Sequence, residues 1–256
     1  MEGAFPQNPS AVSERFYEPG PRRAEKVRRL FGSIARRYDL LNDLASAGLH
    51  RRWKRLLVQW AQVGPGDRAL DVCCGTGDLV FALARTGAEV VGLDFSEPML
   101  AIARQRWERL RSRRTFAGAR VEFVLGDALE LPFADDSFQA VSIGYGLRNL
   151  ADIRRGLREM LRTAAPGGRV LILDFGKPRR PLWRSLYFSY LRWWIPLLGR
   201  MFVGRADAYA YILESLKAYP AQEGLPALLR GLPAEDLRAK EWFGGAMTLH
   251  RFRKAA

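Results

Sequence analysis

The sequence predicts an α/β protein with a doubly wound, mostly parallel sheet. Between about residues 66 and 175, short apolar runs alternate with helical patterns, as in consecutive strand–helix–strand units. The first run leads into a turn with two glycines, and several runs end in Asp or Gly. Because crossovers are right-handed and ligands bind beyond the carboxyl ends of such strands, a binding site is expected at that edge.

The 256 residues can form one large domain with a full core. Residues 1–21 are rich in proline without a period, so we expect a flexible tail followed by a single domain over residues 22–256. The tail has no apolar stretch typical of a secretory signal, and its glutamates and few arginines argue against a transit peptide.

The formal net charge is +14. It favours anionic partners such as nucleic acid or an anionic membrane surface, although solvated arginines on an ordinary enzyme explain it equally well. The two cysteines, Cys73 and Cys74, are adjacent and cannot join distant segments, and no other thiolates are present for a zinc site. We interpret them as small apolar residues in a reducing compartment.

Two helices are expected before the sheet, one beginning at residue 22 and one over residues 51–61. Between them lie Tyr38, Asn42 and His50, three polar side chains close together in the sequence. They could line a pocket or tie the two helices together, and the residues alone leave both interpretations open.

The first strand follows a Pro-Gly-Asp turn and leads through Asp71 into Cys-Cys-Gly-Thr-Gly. Gly75 and Gly77, on either side of Thr76, permit dihedral angles closed to other residues and close approach of a ligand. The helix that starts near residue 79 adds unpaired N–H groups. A ligand-free turn explains an isolated pattern of this kind equally well.

The second strand, residues 89–94, ends at Asp94, 23 residues after Asp71 and directly before Phe95. An acid at about this distance is suited to holding a ribose diol through two hydrogen bonds. We expect a helix over residues 98–110 with Ser96 as its N-cap.

Three further strands are predicted over residues 121–128, 138–146 and 169–175. A helix over residues 153–162 and a Pro-Gly-Gly turn at 166–168 separate the last two. The predicted strand ends therefore bring together Gly75, Asp94, Asp127 and Gly144. Dinucleotide sites require a third glycine at position 80, which is Val, so a ligand without phosphates is favoured.

The Gly-Asp after the third strand and the Pro-Gly-Gly before the fifth resemble those of class I S-adenosylmethionine-dependent methyltransferases, which have a Rossmann-like fold. The resemblance implies that the first loop passes the methionine part, the acid of the second strand holds the ribose and the Asp after the third strand faces the adenine amino group. The implied cofactor-binding residues are Asp71, Gly75, Thr76, Gly77, Asp94, Phe95, Asp127, Ala128, Gly144 and Tyr145.

Residues 31–42 and 48–54 resemble the N-terminal motif of the ubiquinone and menaquinone biosynthesis C-methyltransferases, and residues 144–149, Gly-Tyr-Gly-Leu-Arg-Asn, resemble their second motif. The similarity extends over residues 28–177, resumes at 211–220 and 244–250, and is poor over 182–243. Cys-Cys before Gly75 fits the naphthoquinone branch better. The resemblance implies C-methylation of a reduced prenylated or phytylated naphthoquinol in menaquinone or phylloquinone biosynthesis, with a ubiquinone-pathway benzoquinol as the alternative.

A ring carbon attacks the sulfonium methyl only when it is electron-rich, so the quinone must be reduced and a base or base-activated water is required. By resemblance, Arg148 and Asn149 orient or activate a water near the quinol hydroxyl, and Tyr38 and His50 are further catalytic candidates. Arg148 could instead form a salt bridge and cap the next helix, although Asp152 is the more natural cap.

Residues 182–203 are rich in aromatic residues, with Arg184, Arg192 and Arg200 on one side of a helix that Pro196 must kink. The arginines make a bilayer span unfavourable, and the pattern suits a helix lying in a membrane interface. We expect either a lid and docking surface, with peripheral location at the cytoplasmic or thylakoid membrane, or a cap over residues 182–230. A homodimer is compatible with the sequence.

Two other classes of function fit the sequence less well. A nucleic-acid methyltransferase would use the positive charge, but the fourth strand is not followed by an Asn-Pro-Pro-Tyr or Ser-Pro-Pro motif that would hold a flipped base. A non-catalytic quinone-binding subunit would tolerate loss of Asp94 or the glycines, and all are present. His250 is expected to be structural.

Overall fold

The computed structural model describes residues 48–197 and 207–255, together with positions 32, 43 and 46; for residues 207–211 it describes the backbone alone. The predicted tail, Tyr38, Asn42 and residues 198–203 of the aromatic segment lie outside the described residues.

The described residues form seven strands and seven α-helices, in the order expected for alternating units followed by a helical region. The elements are α1 His50–Ala61, β1 Arg68–Val72, α2 Asp78–Ala84, β2 Glu89–Asp94, α3 Glu97–Leu110, β3 Val121–Leu125, β4 Phe138–Gly144, α4 Ile153–Thr163, β5 Ala164–Phe175, α5 Pro181–Ser189, α6 Asp207–Ala218, α7 Ala221–Leu229, β6 Ala234–Trp242 and β7 Met247–Lys254.

The strands form one sheet in the order β3-β2-β1-β4-β5-β7-β6. The five strands from β1 to β5 are parallel, and β7 runs antiparallel to both β5 and β6. The chain order reverses between β1 and β4, so the ligand edge predicted for a doubly wound sheet lies beyond these strands. His250 lies within β7, paired with Ile172 and Ala239 and buried, as expected for a structural residue.

The central strands are continuous apolar runs because both of their faces are covered. In β1 every residue after Arg68 is buried, and two hydrophobic clusters of buried residues pack against the sheet. β5 begins at Ala164, but its pairing with β4 passes directly from Ala164 to Arg169. The predicted Pro-Gly-Gly turn therefore lies inside β5, at a point where the strand is not paired with β4.

The two predicted helix caps have different outcomes. The Asp152 carboxylate accepts a hydrogen bond from the Arg155 N–H at 2.9 Å and caps α4, as predicted. Ser96 occupies the N-cap position of α3, as predicted, but its hydroxyl makes no capping hydrogen bond. Its backbone N–H donates instead to Asp94 at 2.9 Å, which shapes the tip of β2.

The helical region after β5 begins with α5 and continues through a π-helical turn, Tyr190–Trp194, to Leu197. Pro196 has no N–H to donate to the carbonyl one turn earlier, and the preceding turn widens so that the Ile195 N–H donates to the Tyr190 carbonyl. The predicted irregularity is therefore a widened turn. Among the described residues, no helix has the length and apolar character needed to cross a membrane.

Candidate active site

A cleft of about 790 Å³, including the solvent at its mouth, lies at the carboxyl ends of the parallel strands. It includes most of the residues that the sequence placed at this edge. The lining residues are Cys73, Gly75, Leu93, Asp94, Phe95, Met99, Gly126, Asp127, Ala128, Leu129, Gly144, Tyr145, Gly146, Asn149, Leu150 and Ala151.

The two glycines of the first loop have different tasks. Gly77 has a φ of +85° and precedes α2, and a Cβ there would lie 2.8 Å from the Phe81 ring, so this position requires glycine for the turn itself. Gly75 has a φ of +55°, and a Cβ there would meet no atom within 4 Å. Its open side lies in the cleft, which leaves space for a ligand to approach the backbone.

Asp94 joins the first loop to the tip of β2. Its carboxylate accepts hydrogen bonds from the Gly75 N–H at 2.8 Å and from the Ser96 N–H at 2.9 Å. Burial raises the pKa of Asp94, and the backbone hydrogen bonds oppose that rise. A carboxylate with two oxygens at the cleft wall can accept further hydrogen bonds from a diol.

Asp127 and Ala128 follow β3 on the far side of the cleft. The Asp127 carboxylate accepts a hydrogen bond from the Leu129 N–H at 2.9 Å, which fixes the loop. Apolar side chains of Phe95, Met99 and Leu129 lie along the same cleft. This combination suits a flat, partly polar ring.

A smaller pocket of about 360 Å³ lies on the other side of the glycine loop and contains Lys54, Asp71, Thr76 and Asp78. It shares Cys73, Gly75, Gly144 and Tyr145 with the larger cleft, so the two spaces meet at the loop. Both signs of charge are therefore available next to the glycines.

Two ion pairs join Asp78 of the smaller pocket to nearby cations. The Lys54 Nζ lies 3.0 Å from an Asp78 oxygen, and Arg106 donates to the other oxygen at 2.5 Å. Burial would raise the pKa of Asp78, but these two cations outweigh it and lower the pKa to about 2. Burial raises the pKa of Asp71 to about 7, although the Ser142 hydroxyl donates to it at 2.8 Å.

Arg148 and Asn149 end up in different places within one 3₁₀ turn, Leu147–Asn149. The Arg148 guanidinium is buried, forms an ion pair with Asp174 and donates to the Tyr145 carbonyl at 2.7 Å. It also lies 4.8 Å from the Phe175 ring centre. Asn149 lines the cleft, and its amide donates to the same carbonyl at 3.3 Å. Arg148 therefore supports, from behind, the part of the cleft wall to which Asn149 belongs.

The structure favours the salt-bridge interpretation of Arg148. The cap of the next helix is Asp152 and not Arg148. Direct action of Arg148 on an acceptor stays a prediction.

His50 is buried at the start of α1, with Nδ1 2.8 Å from the Ser46 hydroxyl and Nε2 3.6 Å from Asp43. Burial lowers its pKa. The contacts with Ser46 and Asp43 are those expected of the tying role, and a catalytic role for His50 stays a prediction.

Sequence reasoning missed Lys54, Ser142 and Asp174. A signal for Asp174 was present, because β1, β2 and β5 all end in Leu-Asp or close to it, at Asp71, Asp94 and Asp174. Acids repeated at the ends of parallel strands meet at one edge, so Asp174 could have been included in the site. Nothing local distinguished Lys54 from the arginines around it.

Residues 21–254 match the model of the ubiE/COQ5 methyltransferase family. The chain is 41% identical to the ubiquinone/menaquinone biosynthesis C-methyltransferase UbiE of Ectopseudomonas mendocina, over 91% of this chain and 90% of that protein. It is 42% identical to the 2-phytyl-1,4-naphthoquinone methyltransferase of Thermosynechococcus vestitus, over 87% of this chain and 96% of that protein.

The fold is similar to that of the phosphoethanolamine N-methyltransferase 2 of Haemonchus contortus, solved in complex with S-adenosylmethionine. The TM-score is 0.56 at 16% identity, covering 80% of this chain and 53% of that one. At this identity the likeness concerns the fold alone. The family match, which spans most of the chain, concerns descent: the chain belongs to the ubiE/COQ5 methyltransferase family and is an S-adenosylmethionine-dependent methyltransferase.

Proposed function

We propose that this protein transfers the methyl group of S-adenosylmethionine to a ring carbon of a reduced naphthoquinol with a prenyl or phytyl tail. The observation that carries the proposal is the match of about two fifths of the residues, over nearly the whole chain, to relatives named for quinone methylation. A ubiquinone-pathway benzoquinol is the alternative substrate, because the first of these relatives is named for both pathways.

The cleft and the smaller pocket together offer groups that suit each part of S-adenosylmethionine. Asp94 and Asp127, with apolar neighbours, suit the ribose and the adenine. Lys54 and Asp71 suit the carboxylate and the ammonium of the methionine part. The open side of Gly75 lies where the chain of the ligand would pass between the two spaces.

When bound, S-adenosylmethionine supplies an electrophilic methyl group. A ring carbon of the quinol attacks it, a carbon–carbon bond forms and the electrons of the carbon–sulfur bond go to sulfur. The ring carbon then loses its proton and the ring becomes aromatic again. Only the reduced ring is electron-rich enough, and removal of a hydroxyl proton raises its reactivity further.

The protein's contribution is orientation and electrostatics. Asn149 faces the cleft beside Tyr145, and its side chain is held by the Tyr145 carbonyl. Such a fixed amide can orient a quinol hydroxyl or a water that takes its proton. The Arg148–Asp174 pair holds this turn in place, and accurate positioning alone can supply several kcal/mol of the barrier.

Methyl transfer to a chemically reduced demethylnaphthoquinol, measured by mass spectrometry with a deuterated methyl donor, tests the proposal. We expect one methyl group per ring and no product from the oxidised quinone. The reduced demethylated benzoquinol, offered at the same concentration, decides between the two substrates. Failure to methylate either quinol while the donor binds would refute the proposal.

Lys54 should hold the carboxylate of the methionine part. Changing Lys54 to Met should weaken S-adenosylmethionine binding by about 10-fold to 100-fold, because a charge-assisted hydrogen bond is lost at a partly exposed site. Calorimetry measures the dissociation constant. Asp78 keeps Arg106 as a partner in this variant, so the loop should retain its shape.

Arg55→Met is the matched control, since it removes a positive charge from an exposed position of the same helix. The decarboxylated donor provides a second control. The wild type should bind it more weakly than S-adenosylmethionine, whereas Lys54→Met should bind the two compounds nearly alike. Equal discrimination by both proteins would place the carboxylate elsewhere.

A quinol with a long apolar tail resides in a membrane, so we also propose a peripheral position at a membrane surface for this protein. A cytoplasmic or thylakoid membrane would supply such a substrate. The net charge of +14 supports attraction to anionic lipid.

A further inference from the structure

The helix that runs from α5 through the π-helical turn to Leu197 is apolar on two opposite sides. Tyr187, Leu191 and Ile195, spaced four residues apart, are buried in the core. A second apolar set is exposed at positions three to four residues apart, except for two adjacent tryptophans. We call these residues the aromatic stripe: Leu182, Leu186, Tyr190, Trp193, Trp194 and Leu197.

The exposure of the aromatic stripe is large for side chains of this kind. Leu182 is 77% exposed and Trp193 is 67% exposed. Scattered apolar residues are normal on a protein surface, but a contiguous apolar face on one helix marks an interaction site. One apolar side of this helix packs in the core, so its other apolar side needs a second apolar environment.

A distant part of the chain joins the same surface. The Trp183 indole donates to the Phe243 carbonyl at 2.7 Å, so the turn between β6 and β7 lies against the start of α5. The Phe243 side chain is exposed, and its backbone has a φ of +52°, which costs a non-glycine residue about 1 kcal/mol or more. The Phe243 ring lies edge-on to the buried Trp53 ring, with 6.3 Å between ring centres, and its exposed part adds an aromatic surface next to the start of α5.

The charged side chains of the helix that carries the aromatic stripe are positive. Glu241, which lies beside Trp183, is paired with Arg179 at 2.8 Å. Residues 181–197 contain two arginines and no acidic residue. The Arg192 guanidinium is exposed and lies 5.2 Å from the Trp193 ring centre, and Arg180 is exposed at the start of the helix. Arg184 differs from the sequence expectation, because its Nε donates to the Pro178 carbonyl at 2.7 Å and it is only half-exposed.

We propose that the aromatic stripe, together with Trp183 and Phe243, is the surface through which this protein inserts into the interface of an anionic lipid membrane. Aromatic residues with adjoining arginines, on a helix that itself contains no acidic residue, match the apolar boundary and the anionic headgroups of such a membrane. This inference rests on the proposed function, which requires access to a membrane-resident quinol.

Vesicle flotation tests the inference, with phosphatidylcholine vesicles that either contain or lack 30% phosphatidylglycerol. The full chain should bind the anionic vesicles and bind the neutral ones more weakly. Trp193→Ser with Trp194→Ser should reduce binding by about tenfold or more, because two interfacial anchors are lost. Arg180→Gln and Arg192→Gln should each reduce binding by about fivefold, and only on anionic vesicles.

Leu237→Ser is the matched control, since it removes an exposed apolar side chain from β6 outside the surface. It should bind vesicles as the wild type does. Thermal melting of each variant confirms that the fold is intact. Equal binding by the wild type and the double tryptophan variant would overturn the inference. The inference would also be overturned if the wild type formed a dimer that binds no vesicles and the double tryptophan variant were a monomer.

Methyl transfer to a short-tailed, water-soluble naphthoquinol separates this inference from the proposed function. The double tryptophan variant should methylate that compound at the wild-type rate, because the substrate needs no membrane. If the wild type binds anionic vesicles through this surface but methylates no quinol, the proposed function fails and the membrane surface remains.

Discussion

Changing Arg148 to Ala should lower the free energy of unfolding by about 3 to 5 kcal/mol. The Asp174 side chain is fully buried, and the Arg148 guanidinium is its ion-pair partner. Removal of the cation leaves a buried carboxylate without its counter-charge, which costs more than the pair itself contributes. Urea denaturation measures the loss, and Arg158→Ala, at an exposed position of α4, should change stability by less than about 0.5 kcal/mol.

The double variant Arg148→Met, Asp174→Leu tells a positioning role from a direct one. Replacing both charges with apolar side chains should recover much of the stability, because no unpaired charge remains. If Arg148 acts on the acceptor, this variant should bind S-adenosylmethionine normally and transfer methyl about 100-fold more slowly. Near-normal transfer would show that the pair serves only to hold the turn before Asn149.

Changing Asp94 to Ala should weaken S-adenosylmethionine binding by about 2 to 3 kcal/mol, or roughly 30-fold to 150-fold. The loss combines the hydrogen bonds to the ribose with the hydrogen bond that holds the Gly75 N–H at 2.8 Å. Calorimetry gives the dissociation constant directly.

Asp94→Asn separates these two contributions, because an amide oxygen can still accept from Gly75 but carries no charge. The S-adenosylmethionine affinity of Asp94→Asn should lie between that of the wild type and that of the alanine variant. Glu97→Ala is the control, since Glu97 begins α3, shortly after the end of β2, and pairs with Arg104 at the surface. Wild-type affinity in Asp94→Ala would remove the end of β2 from the binding site.

The sequence was sufficient for the parallel core of the fold and for most of the predicted residues that line the cleft. Runs such as the one leading to Asp71 are apolar throughout because the strands are covered on both faces, and this property is visible in the residues themselves. Asp94 is the last residue of β2, and Gly75 and Asp127 lie within three residues of the ends of β1 and β3. The topology of a parallel sheet then brings strand ends together whatever lies between them.

The tertiary structure decided which polar side chains face a ligand and which face one another. Arg148 and Asn149 are adjacent in the sequence, yet one is buried against Asp174 and the other lines the cleft. Lys54 reaches Asp78 from the first helix, and Trp183 bonds to a turn sixty residues away. Periodicity reports which face of an element is apolar, but the partner of a charge or an indole depends on packing between distant segments, which no local pattern encodes.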